Sequence, residues 1–421
     1  MVTQDDCGST SEARPTLSKP LSKQAAIEVL LARVQPIADT ESIPTEFGLG
    51  RILATPVTST IPVPGWDNSA MDGYAIRHAD LAAQDGRLRV TQRIPAGTTG
   101  TPLEPGTAAR IFTGAPVPAG ADTVVIQEVC TRAGETVVIP LDAKAGANIR
   151  RVGEDIQAGA RVIAAGTRLA PQHLGLAASV GVAELQVYRR LRVAMLASGD
   201  ELAMPGEPLG PGQIYNSNRY TLRGLLQGLG CEILDLGIVA DTLDDTIEAL
   251  RRGAAVADLI IASGGVSVGE EDHLKPAVER LGRLDLWNIA MRPGKPVACG
   301  RVGETPFFGS PGNPVSLFVT CCLFARPLIL HMQGVTGDLT PRTLKLRAGF
   351  DWPKPDRRTE FHRARLETGE DGELELAVYP TRSSAVLSSV AWAEGLIEIA
   401  PGQVIRRGDR VDFIPFANLF H

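Results

Sequence analysis

The segment DLIIASGGVSVGEED (258–272) constrains this chain more than any other. Leu259, Ile260, Ile261 and Ala262 form a short apolar run that reads as a buried strand. The run stops at Gly264, Gly265 and Gly269, passes the carboxylates Glu270, Glu271 and Asp272, and meets a helical pattern near His273. Strand, tight loop and helix in that order belong to a parallel sheet with crossover helices. Glycines let a ligand approach the backbone closely. A helix N-terminus beyond the carboxyl end of a strand attracts anions. Acids at the same place call for a hard cation between protein and ligand. The bland alternative is a surface loop whose acids merely favour the helix dipole. Small residues and acids together at a strand end point instead to a phosphorylated or oxyanionic small molecule.

The surrounding pattern extends this reading. Strands are expected at 193–197, 233–239, 259–262 and 286–290, with helices at 218–229, 243–256, 273–281 and 315–330. That is the rhythm of a doubly wound parallel α/β sheet. Upstream, 22–34 reads as a helix behind a Ser22 cap. Short β-rich runs follow at 88–90, 110–112, 123–129 and 136–139, separated by Pro/Gly turns. A helical piece at 173–179 is expected to return beside the N-terminal helix, which would make the β segment an insertion. Beyond residue 340, strand-like runs at 344–350, 360–366, 374–379 and 410–416 predict a terminal β domain.

At 421 residues the chain exceeds one ordinary core, and 44% hydrophobic with 21% charged residues fits a globular protein. A net charge of −6 without a long basic run argues against nucleic acid as the main partner. The six cysteines form no C-x-x-C, so free thiols in a reducing cytoplasm are expected. The polar first twenty residues contain no apolar signal core and read as a disordered tail. The apolar stretch 315–330, interrupted by Arg326 and Pro327, is too short and broken to predict a membrane span. No histidine pair has metal-ligand spacing, which argues against catalytic zinc.

Other loops join the first at expected strand ends. Ser198-Gly199-Asp200-Glu201 follows one strand, and Asp241 follows another. Asp241 is either a helix cap, with Thr242 and Asp245 as an alternative capping box, or a metal ligand. Parallel topology puts such strand ends on one edge, where Glu201, Asp241 and Asp272 could converge around Mg²⁺. The turn RPGKP (292–296) supplies Arg292 and Lys295, either as fixed cations or as solvated turn residues. In GSPGNPVS (309–316), Pro314 suits the first helical turn, and Ser316 with free N–H groups could face an oxyanion. DNSAMDGY (67–74) carries more Asp and Asn than one Asx-turn needs, which favours a functional role.

These segments, in order, resemble the MoeA family of molybdopterin molybdenumtransferases, relatives of the gephyrin E domain. The resemblance rests on DNSAMDGYA (67–75), IFTGAPVPAGADTVV (111–125), NIRRVGEDI (148–156), SGDEL (198–202) and GQIYNSN (212–218). It continues through SGGVSVGEEDH (263–273), RPGKP (292–296), GSPGNPVS (309–316) and EFHRARL (360–366). It implies a multidomain α/β and β fold. A MogA-like α/β/α doubly wound domain would occupy 191–333, a mixed segment-swapped domain 21–60 and 145–190, an inserted β domain 61–144 and a C-terminal β domain 334–421. It also implies a homodimer with active sites in clefts between subunits. The implied reaction inserts molybdate into adenylylated molybdopterin, releases AMP and requires Mg²⁺. Carried over by motif, the family's acids fall on Asp67, Asp155, Glu201, Asp241 and Asp272, with Glu201, Asp241 and Asp272 holding the metal. Its substrate and oxyanion contacts fall on Arg292, Lys295, Arg363, Ser316, Ser383, Ser384, Gly264, Gly265, Pro311 and Pro314. Arg292 and Asn288 stand where the family commonly has lysine, and Arg and Lys present donors differently. A MogA-type adenylyltransferase and molybdoenzymes are the implied partners, with neither nucleic acid nor membrane. The alternatives are the adenylyltransferase step itself, or a non-catalytic carrier or scaffold.

Overall fold

The computed structural model describes residues 20–265, 273–294 and 297–420. The chain divides into two compact units: Met1–Glu41, Gly50–Ile52 and Tyr188–His421 form one, Ser42–Leu49 and Leu53–Val187 the other.

The larger unit is built on a six-stranded sheet. Its order is Glu232–Val239, Arg192–Ser198, Leu259–Ser263, Thr305–Ser310, Val297–Val302, Gly282–Trp287. The first four strands are parallel. Their apolar runs, such as the fully buried Leu259, Ile260, Ile261 and Ala262, fit strands covered on both faces. Val297–Val302 runs antiparallel to both its neighbours, Thr305–Ser310 and Gly282–Trp287, so the expected parallel sheet is mixed at this edge. The cause is local. Val302 pairs with Thr305 across Gly303 and Glu304, and a two-residue loop joins only antiparallel strands. Gly303 supplies the positive φ (57°) that such a turn demands.

The long apolar helical run reaches from Pro314 to Met332. A π turn, Cys321–Ala325, lies just before Pro327, which lacks an N–H. The run is therefore continuous where the sequence reading broke it. By length and composition it could cross a membrane, but 94% of it is buried inside the unit. The N-terminal helix, Lys23–Leu31, is capped by Ser22 and packs Ala26, Ile27 and Leu30 into the same core as Leu328 and Ile329. The helix Pro171–Ser179, expected beside it, places its Ala177 in the core of the other unit.

Five strands after residue 340 close into a barrel. They run in the order Thr359–Thr368, Leu374–Val378, Leu344–Ala348, Arg410–Pro415, Gly395–Ile399, and the last pairs back onto the first. Closure leaves no free edge among these strands. The sequence reading lacked Gly395–Ile399, the strand that completes the circle. Met291–Arg292 adds alongside Thr359–Glu360 in parallel.

The smaller unit holds a second six-stranded sheet, Thr123–Ile126, Gly73–Ile76, Thr107–Ile111, Arg87–Ile94, Thr136–Val138, Thr131–Ala133. Its faces bury Ile76, Leu88 and Val137 on one side and Ala75, Ile94 and Ile111 on the other. Leu53, Ile163, Leu169, Ala177 and Val187 form a separate core around Pro171–Ser179.

Candidate functional site

The four parallel strands of the larger unit end nearly flush. Ser198 is in register with Val239, and Ala197, Ser263 and Ser310 share the next row. The loops that leave these ends therefore open on one edge, as parallel topology requires. The loops after Ser198, Ser263 and Ser310 surround a cavity of about 680 Å³ lined by Ser198, Glu201, Tyr215, Asn216, Asn218 and Ser263, and further by Gly264, Gly265, Pro311, Gly312, Asn313 and Pro314. Ala385 and Leu387, from a barrel loop, complete the lining. The volume suits a substrate-sized ligand.

Local chemistry explains each wall. Gly199 sits at φ +148°, and a Cβ there would lie 2.6 Å from the Glu201 carboxylate, so only glycine lets that carboxylate fold back. Gly264 (φ +83°) donates its N–H to Ser310 O at 3.1 Å and turns the chain away from the strand. Asp241 is not the helix cap. Thr242 Oγ1 accepts from Asp245 N at 3.2 Å and donates to Asp245 Oδ2 at 2.6 Å, completing the first turn of Leu243–Val256. Asp241 is thereby released. Among the described residues its carboxylate meets only the Ser198 hydroxyl, at 3.5 Å, and its backbone N–H donates to Asp200 Oδ1 at 3.2 Å.

Among the described residues, neither Glu201 nor Asp241 forms an ion pair, and no group of three His, Cys, Asp or Glu could enclose a metal. Two hard carboxylates beside a cavity fit Mg²⁺, which keeps several waters and takes one or two protein oxygens. Asp272, the third expected acid, and Lys295, the second cation of the turn, lie outside the described residues.

The expected oxyanion contacts are arranged differently from the sequence reading. Ser316 is buried, within a helix whose residues from Val315 to Thr320 are all buried. The Val315 N–H is taken by Ser384 O at 3.0 Å, so that helix start is not wholly open to an anion. Pro314 is the first helical residue, as expected. Arg292 pairs with Asp356 at 3.6 Å, and Arg358 holds the same carboxylate at 2.7 Å. Arg363 is 1% exposed and absent from the cavity lining. It donates to Ser389 Oγ (2.9 Å), Thr381 O (2.9 Å) and Ser383 O (3.3 Å), fastening the loop that carries Ser383, Ser384, Ala385 and Leu387. No carboxylate among the described residues pairs with it, and burial lowers its pKa. Arg363 thus keeps an unneutralised charge behind the cavity loop, where a low dielectric extends its reach.

The acids of the smaller unit serve their own loops. Asp67 accepts from Val152 N (2.8 Å) and Arg151 Nη1 (2.7 Å), and these bonds hold its pKa below the usual carboxylate range. Asp72 accepts from the Thr113 N–H and hydroxyl, and Ser69 Oγ donates to Met71 O. The polar density of DNSAMDGY therefore has a structural cause that the sequence reading undervalued. Asp155 is exposed, with its backbone N–H on Val63 O. The lining residues Tyr215, Asn216, Asn218 and Asn313 were missed as site residues. Their sequence signals were the matching segments GQIYNSN (212–218) and, for Asn313, GSPGNPVS (309–316).

Three family models match the chain: "MoeA N-terminal region (domain I and II)" over residues 21–181, "Probable molybdopterin binding domain" over 194–331, and "MoeA C-terminal region (domain IV)" over 345–416. A molybdopterin molybdenumtransferase of Haemophilus influenzae is 38% identical over 383 residues, covering 90% of this chain and 95% of the relative. One from Bacillus subtilis is 36% identical, covering 87% of each. Two solved structures of a molybdopterin biosynthesis MoeA protein from Pyrococcus horikoshii are also similar. One has a TM-score of 0.81 at 26% identity, covering 94% of this chain and 100% of the other. The second has a TM-score of 0.76 at 31% identity, covering 94% and 99%.

Proposed function

This chain belongs to the MoeA family of molybdopterin molybdenumtransferases, and from that premise we propose that its cavity at the sheet edge receives adenylylated molybdopterin and presents it to molybdate. The chain is a transferase of molybdenum cofactor biosynthesis, and molybdenum insertion is its reaction. One observation carries the placement: three strand ends open into a cavity of about 680 Å³ lined by Glu201, with Asp241 beside its lining residue Ser198, and neither acid is paired with a cation among the described residues.

Two anions must meet here. Their repulsion is about 1 kcal/mol per charge pair at contact in water and about 4 kcal/mol near a protein surface. Glu201 and Asp241, with Asp272, would hold Mg²⁺, which when bound offsets the charge of the pyrophosphate. Lys295 and Arg292 are the proposed molybdate cations, and Arg363 adds its charge from behind the loop. A water oxygen or a molybdate oxygen bonds to phosphorus, the anhydride P–O bond breaks and AMP leaves; two Mo–S bonds to the dithiolene then replace one Mo–O bond, whose oxygen departs as water with the two thiol protons. Positioning and charge offset supply the acceleration. Asp67, already bonded to Arg151 and Val152, suits an orienting role better than that of a base. The family resemblance supports a homodimer in the cytoplasm. A MogA-type adenylyltransferase would supply its substrate and molybdoenzymes would take its product.

The test is single-turnover AMP release from adenylylated molybdopterin with Mg²⁺ and molybdate. Glu201→Gln and Asp241→Asn are expected to slow it about 100-fold or more, with unfolding midpoints little changed. Wild-type rates in both folded variants would remove these acids from the reaction. AMP-forming turnover seen only with ATP plus molybdopterin would assign the preceding step instead.

A further inference from the structure

The segment GQIYNSN (212–218) ends in two asparagines that no step above uses. Asn216 is 1% exposed. Its Oδ1 accepts from Arg219 N at 3.1 Å, which caps the helix Ser217–Gly228 and fixes which way the amide points. Its Nδ2 is buried and finds no partner among the described residues. Asn218 is oriented by its own bond, Nδ2 to Gly312 O at 2.7 Å, and its buried Oδ1 is likewise unpartnered. Both residues line the cavity. The cap needs only an oxygen, which aspartate would supply without burying a lone donor. A buried donor and a buried acceptor left unmatched are unfavourable unless a ligand completes them.

We infer that Asn216 Nδ2 and Asn218 Oδ1 are a specificity pair that reads a heteroaromatic ring edge offering one acceptor and one donor. The pterin lactam is such an edge: its ring carbonyl accepts from Asn216, and its ring N–H donates to Asn218. Adenine, with a ring nitrogen beside an amino group, carries the same pattern. The inference rests on the reading of this cavity as the substrate site. It assigns recognition to these residues and no part in bond breaking.

The experiment is calorimetric binding of molybdopterin and, separately, of AMP to wild type, Asn216→Ser and Asn216→Asp. Both substitutions keep an oxygen for the cap and remove the amide donor. The expected result is about 10- to 100-fold weaker binding of one probe, with the other little changed and the unfolding midpoint retained. Loss with molybdopterin assigns the pair to the pterin, and loss with AMP assigns it to adenine. Unchanged affinity for both probes in either folded variant overturns the inference. Failure of the wild type to bind either probe would instead overturn the reading of the cavity on which it rests.

Discussion

The edge of the parallel sheet and the barrel beyond residue 340 both carry charge, yet they use it oppositely. At the sheet edge, among the described residues, Asp241 meets only a serine hydroxyl at 3.5 Å, and Glu201 folds back over Gly199 without a cation. Around the barrel, charges are matched to one another. Arg292 and Arg358 share Asp356, Arg382 lies 3.8 Å from Glu360, and Arg407 reaches Glu375 at 2.6 Å. Buried Glu360 also accepts from Trp352 Nε1 and Asp356 N, each at 3.1 Å. Charges matched in this way hold the fold, whereas unmatched ones remain available to a ligand. Arg363 is the exception in the barrel, buried with hydrogen bonds but with no counter-charge among the described residues.

Arg363→Ala gives the strongest test of that contrast. It would leave a void and deprive Thr381 O and Ser383 O of their donor, so urea unfolding is expected to show a loss of about 4 kcal/mol. Unchanged stability with a shifted molybdate dependence would make Arg363 a direct ligand instead.

A somewhat smaller effect is expected from pH. Burial pushes His362 down to about 4, although neighbouring Glu360 opposes this. In the unfolded chain a histidine takes its proton near 6.5. Stability is therefore full above about 6.5 and falls as pH drops toward about 4, by roughly 3 kcal/mol from this group. Glu360 acts in the same direction at lower pH. Burial raises its pKa, but the bonds from Trp352, Asp356 and His362 more than offset that, so its contribution fades as pH falls through the carboxylate range. His362→Gln should flatten the slope between pH 6.5 and 4 in unfolding measurements; an undiminished slope would assign it elsewhere.

The smallest effect concerns Arg292, whose pairing with Asp356 is long and partly exposed. Arg292→Ala is expected to change stability by less than about 1 kcal/mol. Its molybdate concentration dependence should nevertheless move, and an unmoved dependence would place Arg292 with the structural cations.

The strand–loop–helix alternation was legible because apolar runs and glycines record local backbone demands. Leu259–Ser263 and Leu243–Val256 fall close to where periodicity puts them. The hairpin of Val297–Val302 and Thr305–Ser310 was not, since its strands are short and interrupted by Gly300 and Pro306. Gly264, Gly265, Pro311 and Pro314 line the cavity because loop chemistry is local. Arg363 and Ser316 do not, because burial depends on what packs over them.

The sequence by itself determined the strand–helix alternation as far as the helix after Leu259–Ser263, the loops at the strand ends and the family. Those follow from short-range rules of backbone geometry and from the spelling of motifs. Tertiary structure alone decided that Thr242 caps its helix while Asp241 does not, that Arg363 is enclosed, and that Asn216 and Asn218 each keep one amide atom unmatched among the described residues. The reason is that a residue's letter specifies its charge and hydrogen-bonding groups, but the groups that satisfy them come from distant parts of the chain.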